Sequence, residues 1–141
     1  MTINLLEWEE ALNSAFTDGK PCLLVSADTE GHPDIAFKGS MMIFDGEHLA
    51  WWERSLAEQI AQVEQNPNVT VLFYNRDRGL QPLRFYGVAT LHQDGPMKEA
   101  IYAKVIPQEK AKDPDLKGFA VSVQVNRVRA GSNTAQEREG A

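Results

Sequence analysis

A chain of 141 residues with 43% hydrophobic and 24% charged residues has room for one domain around one core, and its composition lies far from that of a disordered chain. Its formal charge of −6 has the wrong sign for a protein that reads phosphate backbones, which excludes nucleic acid as the expected partner. A single cysteine, Cys22, excludes an intrachain disulfide framework and a multi-cysteine metal site.

No apolar run approaches the roughly 20 residues that cross a bilayer as a helix. The opening MTINLLEWEEAL has no basic segment leading into an apolar one. The expectation is a cytoplasmic protein with no membrane partner.

Asn4 followed by Glu7 marks a helix start, and Leu5, Trp8, Leu12 and Ala15 or Phe16 recur at helical spacing. Asp18-Gly19 closes that helix. Residues 20–27 read as a first strand around Cys22, Asp28-Thr29-Glu30-Gly31 as a turn, and a second strand begins near Pro33.

Residues 34–59 read as strand, hairpin, strand and helix start. Asp45-Gly46 between apolar runs signals a tight hairpin with positive φ at its centre. Lys38, Gly39 and Ser40 fall on the strand leading in, and Trp51, Trp52, Glu53 and Arg54 on the strand leading out. Ser55 and Glu58 have the S-x-x-E form of a capping box, which starts a helix at Ser55 and turns its backbone N–H groups towards any nearby anion. Together these residues describe a pocket for a flat anionic ligand. They equally describe an ordinary hairpin followed by a capped helix.

Leu56, Ile60 and Val63 share one face of a helix over residues 56–65, which Asn66-Pro67-Asn68 stops. VTVLFY, residues 69–74, is the next strand. After a polar turn, residues 82–92 are its partner, with Gly87 marking a bulge. Gly95-Pro96 opens another helix that runs to about Val105, and Pro107 ends it. The charged stretch QEKAKDPDLKG reads as solvated, with Asp113 and Asp115 in a loop that holds no site. FAVSVQV, residues 119–125, alternates cleanly and closes the sheet. Residues 130–141 are small and polar and read as a surface arm beyond a single domain spanning residues 1–129. Six or seven strands with three short helices, in meander order, favour a small closed barrel, mainly β.

Trp51-Trp52, Phe73-Tyr74 and Phe85-Tyr86 each place one ring in the core and one outside, since neighbours on a strand point to opposite faces. The outer rings need a cover, which could be a helix, a bound ring system or a second copy of the chain. The expectation is a homodimer with ligand sites at its seam. His32, His48 and His92 are scattered without metal-ligand spacing, so no metal is expected. No phosphate-cradling loop or nucleophile elbow is present.

The segments PCLLVSADTEGHPDIAFKGSMMIFDGEHLAWWER, SLAEQIAQVEQNPNVTVLF and LRFYGVATLHQDGP, in that order, resemble the FMN-binding split-barrel superfamily over about residues 5–129. That superfamily includes pyridoxamine phosphate oxidase-like proteins, small FMN-binding proteins and deazaflavin-dependent reductases. The resemblance implies a homodimeric, six- to seven-stranded antiparallel split β-barrel of mainly β character with short helices, carrying flavin at the subunit interface. It implies hydride transfer to or from a small organic substrate, with no catalytic side chain named because the cofactor itself reacts.

The flavin-contacting positions of the resemblance fall on Phe37, Lys38, Gly39 and Ser40 and on Trp51, Trp52, Glu53 and Arg54. For a cofactor phosphate the local candidates are Lys38, Arg54, Ser55 and Gln59, with Arg127 and Arg129 more remote. FMN is the expected cofactor and deazaflavin the alternative; haem, which would need an axial histidine, comes third. Glu58 and Gln59 stand where the oxidases typically carry a basic pair, and a carboxylate there repels a phosphate. The basic and aromatic C-terminal extension of the vitamin-synthesising oxidases is also missing. The resemblance therefore points away from pyridoxamine phosphate and towards a reductase. The alternatives are a non-catalytic flavin or haem carrier and a cofactor-free dimer.

Overall fold

The computed structural model describes residues 2–54 and 58–140. A 3-10 turn, Leu5–Trp8, leads into α1 (Glu9–Asn13). The side chain of Asn4 caps that turn by accepting from the Leu6 amide at 3.2 Å, as the sequence anticipates. Leu5, Trp8 and Leu12 then face inward.

Strands β1 (Cys22–Ala27), β2 (Pro33–Lys38), β3 (Met42–Ile43) and β4 (His48–Glu53) follow, then α2 (Glu58–Gln65) and β5 (Asn68–Phe73). The chain continues through β6 (Leu83–His92), α3 (Pro96–Lys104), α4 (Pro107–Lys110), β7 (Phe119–Ala130) and β8 (Asn133–Glu137). The eight strands among the described residues belong to one antiparallel sheet in the order β2-β1-β5-β6-β7-β4-β3, with β8 paired to β7. β2 and β3 end this path yet are joined by the short turn Gly39-Ser40-Met41, so the sheet curls back on itself as a split barrel.

Alternation places Leu24, Val71, Phe85 and Val128 inside with no exposed surface, and Trp51 and Phe73 with them. A second apolar layer lies outside the barrel wall, where Met42, Ala50, Trp52 and Ala120 pack against Ile101 and Val105. Helix α3 is thus the cover for the outer tryptophan. Gly87 sits at the expected bulge, where the β6/β7 register shifts. A Cβ there would collide with the Gln124 carbonyl.

Three local expectations change. The β3–β4 hairpin forms, but Gly46 is not in the positive-φ region. The Asp45 carboxylate instead accepts from the amides of Glu47 at 2.9 Å and His48 at 2.8 Å, building the turn with a side chain. Pro107, read as a stop, begins the short helix α4. The segment read as a surface arm supplies β8, whose Gln136 is buried and bonds both Asn4 and Glu7 at 2.7–2.9 Å. An amide can anchor a strand that has no large apolar residue. The capping box at Ser55 lies outside the described residues.

Candidate functional site

The turn leaving β2 and the end of β4 meet at one edge of the barrel. Here Phe37, Lys38, Gly39, Ser40, Trp52, Glu53 and Arg54 line a cleft of about 250 Å³, joined by Glu109. Two backbone segments close in space explain the gathering. Ser40 stands opposite Trp52, and its hydroxyl accepts from the Trp52 amide at 2.9 Å and donates to the Trp52 carbonyl at 3.1 Å. This side chain extends the β3–β4 ladder beyond the last backbone pair.

Charge pairing organises the floor. Lys38 Nζ lies 2.8 Å from Glu53 Oε1, with both side chains largely buried, and the Trp51 indole donates to the same oxygen at 3.1 Å. Lys38 therefore neutralises a buried carboxylate of its own chain. Arg54 is half exposed, with its Nε 3.9 Å from Glu109 Oε2, while Lys112 approaches that oxygen at 3.3 Å. Glu109 is 7% exposed. Its Oε1 approaches Gly39 so closely that a Cβ at that glycine would collide with it.

Behind the cleft, the Trp52 indole donates to Asp113 Oδ2 at 2.8 Å and packs edge-on against Tyr102. Asp113 also accepts from the amides of Lys117 at 3.0 Å and Gly118 at 2.7 Å. Burial pushes the Asp113 carboxyl up, but the Trp52 and backbone hydrogen bonds and the charge of Lys98 outweigh it and hold the group below the usual carboxylate range. The charged stretch read as solvated thus supplies two buried acids, Glu109 and Asp113. Sequence reasoning missed both because loop composition does not reveal which acid meets an indole or a backbone amide.

Other expected site residues lie elsewhere. Trp51 points into the core. Gln59 is buried, donates to the Leu24 carbonyl at 3.0 Å and does not line the cleft. Ser55 lies outside the described residues. Arg127 and Arg129 sit on β7 beside β6 and β8 and do not line the cleft.

None of the histidines lines the cleft. His32 and His48 pair with Asp28 and Asp45 at 2.9 and 2.8 Å, and His92 Nε2 is 2.8 Å from the Ser122 hydroxyl. Asp28, Glu30 and His32 do bring ligand atoms within 4.8 Å of one another in an exposed turn. Spacing alone did not single out that trio.

The fold has counterparts among solved structures. HupZ of Group A Streptococcus superposes with a TM-score of 0.69 at 19% identity, covering 93% of this chain and 98% of that one. An FMN-binding protein from Syntrophomonas wolfei gives a TM-score of 0.65 at 15% identity over 88% of this chain and 86% of its own. An F420 reductase gives 0.59 at 16% identity over 85% and 94%. No curated protein matches significantly. These identities speak for the fold. The sequence itself matches the family model described as pyridoxamine 5'-phosphate oxidase over residues 8–129, a span that contains the barrel path except the last residue of β7 and the whole cleft, and on that match the chain belongs to the pyridoxamine 5'-phosphate oxidase family.

Proposed function

We propose that this chain is an FMN-binding oxidoreductase, acting as a homodimer, that moves a hydride between the flavin ring and a small organic substrate. The observation that carries the reading is the convergence of Phe37–Ser40 and Trp52–Arg54 on one cleft in a chain of this family. Two of the similar structures are an FMN-binding protein and an F420 reductase, which supports a flavin-type cofactor; FMN is proposed first and a deazaflavin second.

The cleft residues fit such a group in parts. The Phe37 ring, 66% exposed, offers a face to a flat ring system, and the backbone of residues 38–40 offers peptide groups. Arg54 is the half-exposed cation of the cleft, its Nε 3.9 Å from the Glu109 carboxylate, and it is the residue proposed to meet a phosphate. A bound flavin would supply the redox chemistry; the chain orients it and excludes water.

The dimer is proposed through the outward face of β2, β1 and β5. Ile35, Phe37 and Tyr74 are exposed there, and Leu23, Leu72, Phe37 and Tyr74 border an apolar hollow of about 390 Å³.

The test is an absorption and fluorescence titration of the purified protein with FMN, then with a deazaflavin. Saturable binding with a Kd near the micromolar level, about −8 kcal/mol, is the expected result. Failure of both to bind at tenfold higher concentration overturns the reading.

A further inference from the structure

We propose that Arg84, Arg127 and Arg129 form an oxyanion site on the outward sheet face, taking the phosphate of a small phosphorylated molecule whose uncharged polar part lies in the adjoining cleft. The proposal goes beyond the flavin reading, since Arg84, Arg127 and Arg129 line neither the flavin cleft nor the apolar hollow of the proposed dimer seam.

The register builds the cluster. Two rows of directly paired residues cross the outer face: Phe37, Leu23, Leu72, Arg84 and Arg129, and beside it Ile35, Val25, Thr70, Tyr86 and Arg127. Both rows are apolar at the β2 edge and basic at β7. Arg84 and Arg129 are direct cross-strand partners, and like charges so placed destabilise a sheet.

The chain carries 20 acidic residues against 14 basic ones, yet among the described residues no carboxylate lies within ion-pair distance of any of these three arginines. Lys38, Arg54, Arg78, Lys112 and Arg138 each have one; the three arginines differ from the other cations without one in standing side by side across β6 and β7. The three guanidiniums reach only neutral oxygens. Arg84 donates to the Gly131 carbonyl at 3.4 Å. Arg129 donates to the Tyr86 hydroxyl and the Ser132 carbonyl, both at 3.5 Å. Arg127 donates to the Thr134 hydroxyl at 3.0 and 3.2 Å. The Nε of Arg129 is buried with no hydrogen-bond partner. Forked donors left this poorly satisfied match the geometry of a phosphate.

The neighbouring cleft gives the ligand its second half. It measures about 410 Å³ and is lined by uncharged residues, among them Asn66, Asn68, Thr70, Tyr86 and Asn126. Arg127 lies over the Tyr86 ring at 5.6 Å, so Tyr86 borders both the cleft and the cations. Hydroxyls and amides suit the sugar or ring edges of a phosphate monoester. A patch of three cations on a chain of charge −6 is too small for a polynucleotide track. β7 also borders the flavin cleft, but through Phe119 and Ala120, the partners of Glu53 and Trp52, so Arg127 and Arg129 sit towards the opposite end of that strand.

The experiment is calorimetric titration at low ionic strength with inorganic phosphate and with AMP, on the parent, Arg84→Gln and Arg129→Gln, with circular dichroism to check folding. Saturable binding of both probes is expected, AMP the tighter. Each substitution should weaken AMP by about tenfold or more, the loss of a charged bidentate contact. Without ligand, Arg84→Gln should melt no lower than the parent, since it relieves an unfavourable pair. This variant keeps the test decisive if Arg129→Gln fails to fold. Absence of saturation in the parent at millimolar AMP, or parent-like affinity in Arg84→Gln, overturns the proposal. AMP binding no tighter than inorganic phosphate removes the cleft from it. Because FMN affinity is read out through Arg54 and AMP affinity through Arg84, failure of either proposal leaves the other standing.

Discussion

Which cations remain available to a ligand is decided residue by residue, through the carboxylates that already hold them. Lys38 and Arg54 flank the same hairpin in sequence, and from sequence the two are equivalent anchors. In the fold, Lys38 lies 2.8 Å from a buried Glu53, while Arg54 is half exposed. Lys38→Ala should therefore act chiefly on stability, lowering it by on the order of 3 kcal/mol, because it removes the cation that compensates a buried carboxylate. Arg54→Ala should leave the urea midpoint close to the parent's and weaken FMN by about 1–3 kcal/mol, the scale of a charged hydrogen bond. Urea denaturation and FMN titration of both variants separate the roles; an Arg54→Ala protein that holds FMN like its parent moves the phosphate out of the cleft. Cys22 offers a check on the core itself. Burial pushes its thiol up to about 12, so a thiol reagent near pH 8 should label it only after unfolding. Rapid labelling of the native chain would show that β1 opens to solvent.

At the scale of elements, the α3–α4 segment and the loop after it form a strap over the outer tryptophan. Tyr102 meets Trp52 edge-on at 4.8 Å, and the Asp113 carboxylate ties Trp52, Lys117 and Gly118 together. The folded carboxyl titrates below its ordinary value of 3.8. The charged group therefore stabilises the fold at pH values above that of the unfolded acid, and the contribution is lost as pH falls through the folded value. Asp113→Asn puts an amide N–H where only an acceptor fits. It should lower the melting temperature at neutral pH and flatten the acid side of the stability profile below about pH 4. Melting curves across that range test it; parallel profiles for parent and variant would take the strap's anchor away from Asp113. The sequence showed this segment only as a run of charges, because its order rests on contacts with β4 that local composition does not encode.

For the whole molecule, the outward face of the sheet is the unusual surface. It runs from exposed Ile35 and Phe37 to the arginines of β6 and β7. Trp52, from sequence a candidate for a subunit seam, is 5% exposed under its own helix, so its truncation reports on the strap. Phe37 and Tyr74 remain open to a second copy. Phe37→Asp, which sets a charge at the apolar β2 end of the rows, should shift the mass measured by light scattering from dimer to monomer while the melting temperature stays near the parent's. A parent that is itself monomeric, or a variant that stays dimeric, moves the interface off this face.

The sequence by itself determined the order of the elements from the first helix through β7 apart from α4, the Gly87 bulge, the Asn4 cap and the rule that each aromatic pair sends one ring inward and one outward. These are short-range matters of periodicity, breaker residues and turn chemistry, and the family resemblance rests on the same ordered segments. Only the tertiary structure decided that Glu109 enters the cleft, that Asp113 is buried, that Gln136 anchors an eighth strand and that Arg84 faces Arg129. Each of these follows from register and packing between segments distant in the chain, where one residue of slip exchanges the faces of a strand.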